Sequence, residues 1–164
     1  MNPNTATPIV PEVTVTPAQR LPLAAHGGRA LAAMLKLGES IQIDPQLREL
    51  VKLRASQLNG CAFCVDMHWR EARKAGESEQ RLCLLSAWRE APFYTARERA
   101  ALGLTEAVTF VTQGHVPDAV WQEASAHFPP DELVQLLFMI AAINAWNRLA
   151  IATRAEVPRS AEAR

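Results

Sequence analysis

At 164 residues the chain is long enough for one domain with its own core and too short for several. Its 49% hydrophobic and 21% charged content excludes a disordered or collagen-like chain, and seventeen basic residues balanced by seventeen acidic ones argue against a nucleic-acid partner, which requires a concentrated basic face. Residues 1–17 carry Pro3, Pro8, Pro11 and Pro17 among Thr and Val, which reads as an extended arm, with PEVTVTP as its one candidate strand. This start shows no cationic segment leading into an apolar run, so the expected compartment is the cytoplasm.

Helix signals then follow almost without interruption, and 18–164 reads as one all-helical domain. A first helix is predicted over about 18–39 with a possible break at Gly27-Gly28, because Leu31, Met34, Leu35 and Gly38 recur at three- and four-residue spacing. Asp44 can cap a helix whose first residue is Pro45, and Asn59-Gly60 supplies its left-handed stop; Leu47, Leu50, Val51, Arg54 and Leu58 form its stripe. The next helix runs over about 61–75 and ends at Gly76. Ser78 then caps a short helix holding Leu82, Leu85 and Trp88, which Pro92 closes. Thr95 and Glu98 form a capping box before a helix over about 96–112, with Val108 and Val111 among its inward residues. A short helix over about 117–126 precedes the last, from Pro130-Asp131 to about Arg154. That last helix is apolar on nearly every face, which predicts burial between subunits; Gln135, Asn144, Asn147 and Arg148 interrupt it and argue against a membrane span. The fold class is therefore all-α, with about seven helices.

Chemistry concentrates in Glu49-x11-Cys61-x2-Cys64-x3-His68. On a helix, Cys61, Cys64 and His68 leave within a wedge of about 60°, and cysteines three apart have Cα atoms about 5 Å apart, within disulfide range. His68, one turn after Cys64, can take its proton, while the helix N-terminus acidifies nearby thiols. The tight turn at Asn59-Gly60 lets two helices pack antiparallel, so Glu49 can orient His68 or relay a proton from Cys61. A c-type haem site is excluded because Val65, not histidine, follows the second cysteine, and a thioredoxin domain because the strands are missing. Zinc held by Glu49, Cys61, Cys64 and His68 remains an alternative. Cys83 reads as a small core residue, and His26, His115 and His127 as surface or capping groups. Trp69 can wall the cysteine site or fill the core. Asn144 and Asn147 need buried partners.

The string from Glu49 to His68, followed by ERAALGLTEAVT and NAWNRLAIA, resembles the AhpD-like alkylhydroperoxidase branch of the carboxymuconolactone decarboxylase superfamily over about residues 20–155. The resemblance implies a helical subunit assembled as a trimer or hexamer, with a thiol peroxidase activity recycled by an external dithiol or lipoyl-type reductant and needing no bound cofactor. It implies catalytic roles for Glu49, Cys61, Cys64 and His68, and with the contact to His68 it favours Cys64 as the residue that attacks the peroxide, whereas the helix dipole alone favours Cys61. The best-known peroxidase members place a histidine between the cysteines. Here that position is Phe63, so an auxiliary proton relay is absent, and a non-catalytic redox-sensing or structural oligomer is the alternative function.

Overall fold

The computed structural model of the chain describes residues 18–158. The expected arm at 1–17, with its candidate strand, and the last six residues lie outside that range. The described chain is all-α: α1 (Leu23–His26), α2 (Gly28–Ser40), α3 (Pro45–Asn59), α4 (Ala62–Lys74), α5 (Glu79–Leu84), α6 (Ala96–Thr109), α7 (Asp118–His127) and α8 (Pro130–Thr153), with no strand among the described residues. Eight α-helices stand where about seven were expected because the first breaks at Gly27, as the glycine pair had signalled; it begins at Leu23, not near 18.

The termini follow local chemistry. Asp44 Oδ1 accepts from the amides of Gln46 and Leu47 at 3.0 and 2.9 Å, Pro45 occupies the first turn of α3, and Gly60 ends it at φ +69°, a left-handed conformation that costs glycine little. Ser78 caps α5, and Thr95 with Glu98 forms the expected reciprocal box on α6. Helix α6 stops at Thr109, three residues short of the expected end. Its continuation is a single 3-10 turn, Val111–Gln113, which swings Val111 outward rather than into the core.

Helix α3 is the central element, packed by α4, α6 and α8. Leu47 and Val51 face a core formed with α6, α7 and α8, including Leu104, Phe128, Leu136, Met139 and Ile140. Leu50 and Leu53 face a second core with Ala72, Leu82, Leu85, Trp88 and Leu102. Burying one large aliphatic side chain is worth roughly 1.5–3 kcal/mol, so residues on both faces of α3 hold its position firmly. Between the two cores Arg54 pairs with Glu106 at 2.7 Å, and the Trp88 indole donates to the same carboxylate oxygen at 2.8 Å. Burial pushes the Glu106 carboxyl up, but hydrogen bonds from Trp88, Arg89 and Arg54 outweigh it and hold the group below its ordinary value.

The expected burial of Cys83 needs correction. Cys83 is exposed, because Leu82 takes the inward face of α5, which ends at Leu84; Leu85 and Trp88, expected in the same helix, reach the core from the 3-10 turn Leu85–Ala87 and the residue after it. Leu35 is exposed as well, and no residue of α2 is buried. By length and composition α8 would be apolar enough to cross a membrane. It is instead packed by α2, α3, α4, α6 and α7. Val134 and Phe138, one turn apart on α8, stay exposed, as does Ile151 near its C-terminal end on a different face.

Candidate active site

Cys61 is the N-cap of α4 rather than a residue of its first turn, and its Sγ accepts the Cys64 amide at 3.3 Å. The cap therefore places a sulfur where the helix N-terminus favours negative charge. Its backbone amide bonds to Ser56 O at 3.1 Å, locking the turn from α3 into α4. Cys61 and Cys64 are joined as a disulfide with Cα atoms 5.3 Å apart, close to the separation expected from the helical spacing. Both cysteines are sealed at 2% exposure, against Ala150 of α8 with Phe63 and Ala155 alongside.

One turn beyond Cys64, His68 is 5% exposed and Glu49 of α3 is 6% exposed; His68 Nδ1 and Glu49 Oε2 are 3.0 Å apart. An ionised carboxylate only accepts, so Nδ1 carries the proton and donates. The opposite ring nitrogen, Nε2, is buried without a hydrogen-bond partner. Burial raises the Glu49 carboxyl, but the His68 hydrogen bond and the charge of Lys52 override it and hold the group below its ordinary value. Lys52 Nζ and Arg48 Nε lie 3.2 and 3.3 Å from Glu49 Oε1. The carboxylate thus stays charged and divides its attraction among three cationic or protonatable neighbours.

The turn that presents Cys61 is braced from α8. Asn59 Nδ2 donates to the side-chain oxygens of Asn144 and Asn147, each at 2.9 Å; Asn147 Nδ2 donates to Ser56 Oγ at 3.0 Å, and Asn144 Nδ2 to Thr109 Oγ1 at 3.0 Å. These are the buried partners the two asparagines required. Sequence reasoning missed Asn59 and Ser56 as those partners, along with Lys52 and Arg48, although Lys52 stands one turn from Glu49 at a spacing that favours ion pairing.

The structure brings Glu49 to His68 and Cys61 to Cys64, and it puts His68 on the helix that Cys61 caps. Trp69 serves neither expected role: at 40% exposure it lines no wall and fills no core. His127 pairs on the surface with Glu123 at 3.2 Å, and His115 lies in the loop after α6. Among the described residues no group of three or more His, Cys, Asp and Glu side chains is placed to hold a metal ion, so the zinc alternative gains no geometric support.

The helical arrangement around α3 and this cysteine pair define an AhpD-like fold, and the chain belongs to the carboxymuconolactone decarboxylase family, whose signature matches residues 28–107. It is 43% identical over 130 residues to the uncharacterized protein YdfG of Bacillus subtilis, covering 79% of this chain and 88% of that one. It is 42% identical, with a TM-score of 0.84, to ATU0492 of Agrobacterium tumefaciens, a protein of unknown function considered a candidate antioxidant defence protein AhpD; the match covers 87% of this chain and all of that one (100%). An uncharacterized peroxidase-related protein from Silicibacter sp. TM1040, 23% identical over 82% of this chain and 72% of its own, shares the fold with a TM-score of 0.70.

Proposed function

We propose that the chain is a thiol-dependent hydroperoxide reductase, with Cys64 attacking the peroxide, Cys61 resolving it, and His68 held by Glu49 as the base. The observation that carries this reading is the Cys61–Cys64 disulfide on the same helix as a buried histidine whose Nδ1 is fixed at 3.0 Å by a charged carboxylate and whose Nε2 is free. In the reduced protein Nε2 takes the Cys64 proton, and the thiolate attacks the distal oxygen of ROOH. The O–O bond breaks, ROH leaves with a proton, and Cys64 becomes a sulfenic acid. The Cys61 thiol condenses with it, expelling water and forming the disulfide. An external dithiol then reduces the pair, so the sum is ROOH plus dithiol giving ROH, water and the reductant's disulfide. Cys61 at the helix cap, where a thiolate is stabilised, suits the role of the sulfur exchanged with the reductant.

The same reading places the chain in the cytoplasm, with a lipoyl-type or other dithiol protein as reductant, no nucleic-acid or membrane partner, and further copies of itself as neighbours. A trimer or hexamer accounts for α2 having no buried residue and for the exposed Val134, Phe138 and Ile151 of α8, since soluble monomers rarely expose so much apolar surface. Sedimentation equilibrium at micromolar concentration is expected to give a multiple of 18.0 kDa; a single monomeric species would contradict it.

Treating a Cys61→Ser protein with peroxide tests the division of labour. A stable sulfenic acid is expected on Cys64, and its absence would overturn the assignment. The competing reading, a redox sensor without turnover, is favoured by Phe63 and by the sealing of the disulfide. It predicts reversible disulfide formation with negligible peroxide consumption.

A further inference from the structure

A disulfide is reduced only when a thiolate reaches one of its sulfurs along the S–S axis, and here both cysteines are 2% exposed. Something must move to admit a reductant. The cover consists of Ala150 within α8, Phe63 in the first turn of α4, and Ala155 just past the end of α8. The first two belong to hydrogen-bonded helices. The third begins an irregular segment. Helix α8 closes with Arg154 at φ +54° and a bond from the Ala155 amide to Ala150 O at 2.9 Å, which turns the chain back toward α4. Beyond that cap, residues 156–158 are exposed, and among the described residues one hydrogen bond ties them down, from Arg70 Nη2 to Pro158 O at 3.2 Å. Arg70 is itself aimed by Asp66 one turn earlier, at 2.7 Å. Pro158 and Phe63 together line a groove of about 210 Å³ on the outer face of α4, with Met67, Arg70 and Lys74 along it. Phe63 thus contacts the disulfide cluster on one side and the groove on the other.

We propose that residues 155–158 form a latch over the Cys61–Cys64 disulfide, and that Arg70, by holding Pro158, sets how often the groove opens onto the sulfurs. Segments with few buried apolar contacts and exposed backbone open at low free-energy cost, far below that of unfolding the domain. The latch therefore controls rate without altering the chemistry behind it. In the open state a thiolate of a small dithiol attacks one sulfur and the S–S bond breaks. The displaced cysteine takes a proton, and the reductant's second thiol then closes on the mixed disulfide. Two electrons pass to the protein, and the reductant leaves as a cyclic disulfide. This inference rests on the pair being reversibly redox-active, as the proposed function requires. Its test involves no peroxide, so the latch can fail while peroxide reduction stands, and the reverse.

The experiment measures, by acid quench and mass spectrometry, the rates at which dithiothreitol reduces the disulfide of the full-length protein and at which cyclic dithiothreitol disulfide re-forms it. Two variants release the latch independently: Arg70→Met, which keeps an apolar stem but loses the bond to Pro158, and a chain ended after Ala155, which keeps the α8 cap. Losing one partly exposed hydrogen bond from a charged donor is expected to accelerate both directions by roughly tenfold. The ratio of the two rates, which is the equilibrium constant with dithiothreitol, should stay at the wild-type value. Lys74→Met, in the same groove but paired with Glu71 instead, should leave both rates unchanged. Rates within twofold of wild type in both latch variants would overturn the proposal. So would an acceleration in one direction only, which would mean that the disulfide itself had been destabilised. Acceleration in the shortened chain but not in Arg70→Met would overturn the role of Arg70.

Discussion

Replacing Glu49 by Gln keeps the shape of the side chain and an oxygen able to accept from His68, but removes the charge that stabilises an imidazolium after it takes the thiol proton. At an effective dielectric of about 20, two charges 4 Å apart interact by about 4 kcal/mol. Glu49 shares its charge with Lys52 and Arg48, at 3.2 and 3.3 Å, so His68 receives only part of that interaction. A net loss of about 1.5–2 kcal/mol follows, or roughly ten- to thirtyfold in the population of the reactive thiolate–imidazolium pair. The assay is iodoacetamide alkylation of the reduced protein as a function of pH, with the modified cysteine located by mass spectrometry. In Glu49→Gln the onset of Cys64 alkylation should move to higher pH, and the rate at neutral pH should fall by that factor. Lys52→Met should act in the opposite sense, because it frees the whole carboxylate for His68. Equal profiles for wild type and Glu49→Gln, or a shift of the same sign in both variants, would refute the claim that Glu49 works through the imidazole.

Asn147→Ala should cost about 2–3 kcal/mol, since it opens a cavity at a fully buried position and removes the partners of Ser56 and Asn59; calorimetry should show melting lowered by roughly 4–12 °C. Glu106→Gln should destabilise by about 2–3 kcal/mol in denaturant titration, because it leaves Arg54 without its charged partner between the two cores. Acid should destabilise the wild type for a related reason. The Glu49 and Glu106 carboxyls lie below their ordinary 4.5 when folded, so the stability they contribute is present above about that pH and is lost as pH falls through their folded values. Each of Glu49→Gln and Glu106→Gln should flatten that acid limb.

What the sequence showed was mostly local. Asp44, Ser78 and the Thr95–Glu98 box act on amides within three residues of themselves, and Gly60 turns its own amide onto the Gln57 and Ser56 carbonyls, so their positions were readable without a fold. The same holds for Cys64 and His68, whose relation is set by helical pitch, and for Cys61, which caps their helix. Glu49 was within reach because a two-residue link, Gly60-Cys61, leaves adjoining helices few ways to pack. The bracing of Cys61 was not readable, since Asn59 and Asn147 are 88 positions apart and meet only once α8 is laid against α3. Phe63 and Ala155 were similarly hidden as covers. Val111 was misplaced because nothing before Gly114 signals the end of α6, and what covers the apolar face of α2 was not readable because periodicity shows that a surface is to be covered but not by what.

The central claim is that this pair turns over peroxide, and the most direct measurement is tert-butyl hydroperoxide consumption by the reduced full-length protein in the presence of excess dihydrolipoamide. The account predicts many equivalents of peroxide consumed per chain, with one dithiol oxidised per peroxide, and loss of that turnover in both Cys61→Ser and Cys64→Ser. Peroxide loss no faster than with dihydrolipoamide alone, although dihydrolipoamide still reduces the disulfide of the isolated protein, would contradict it.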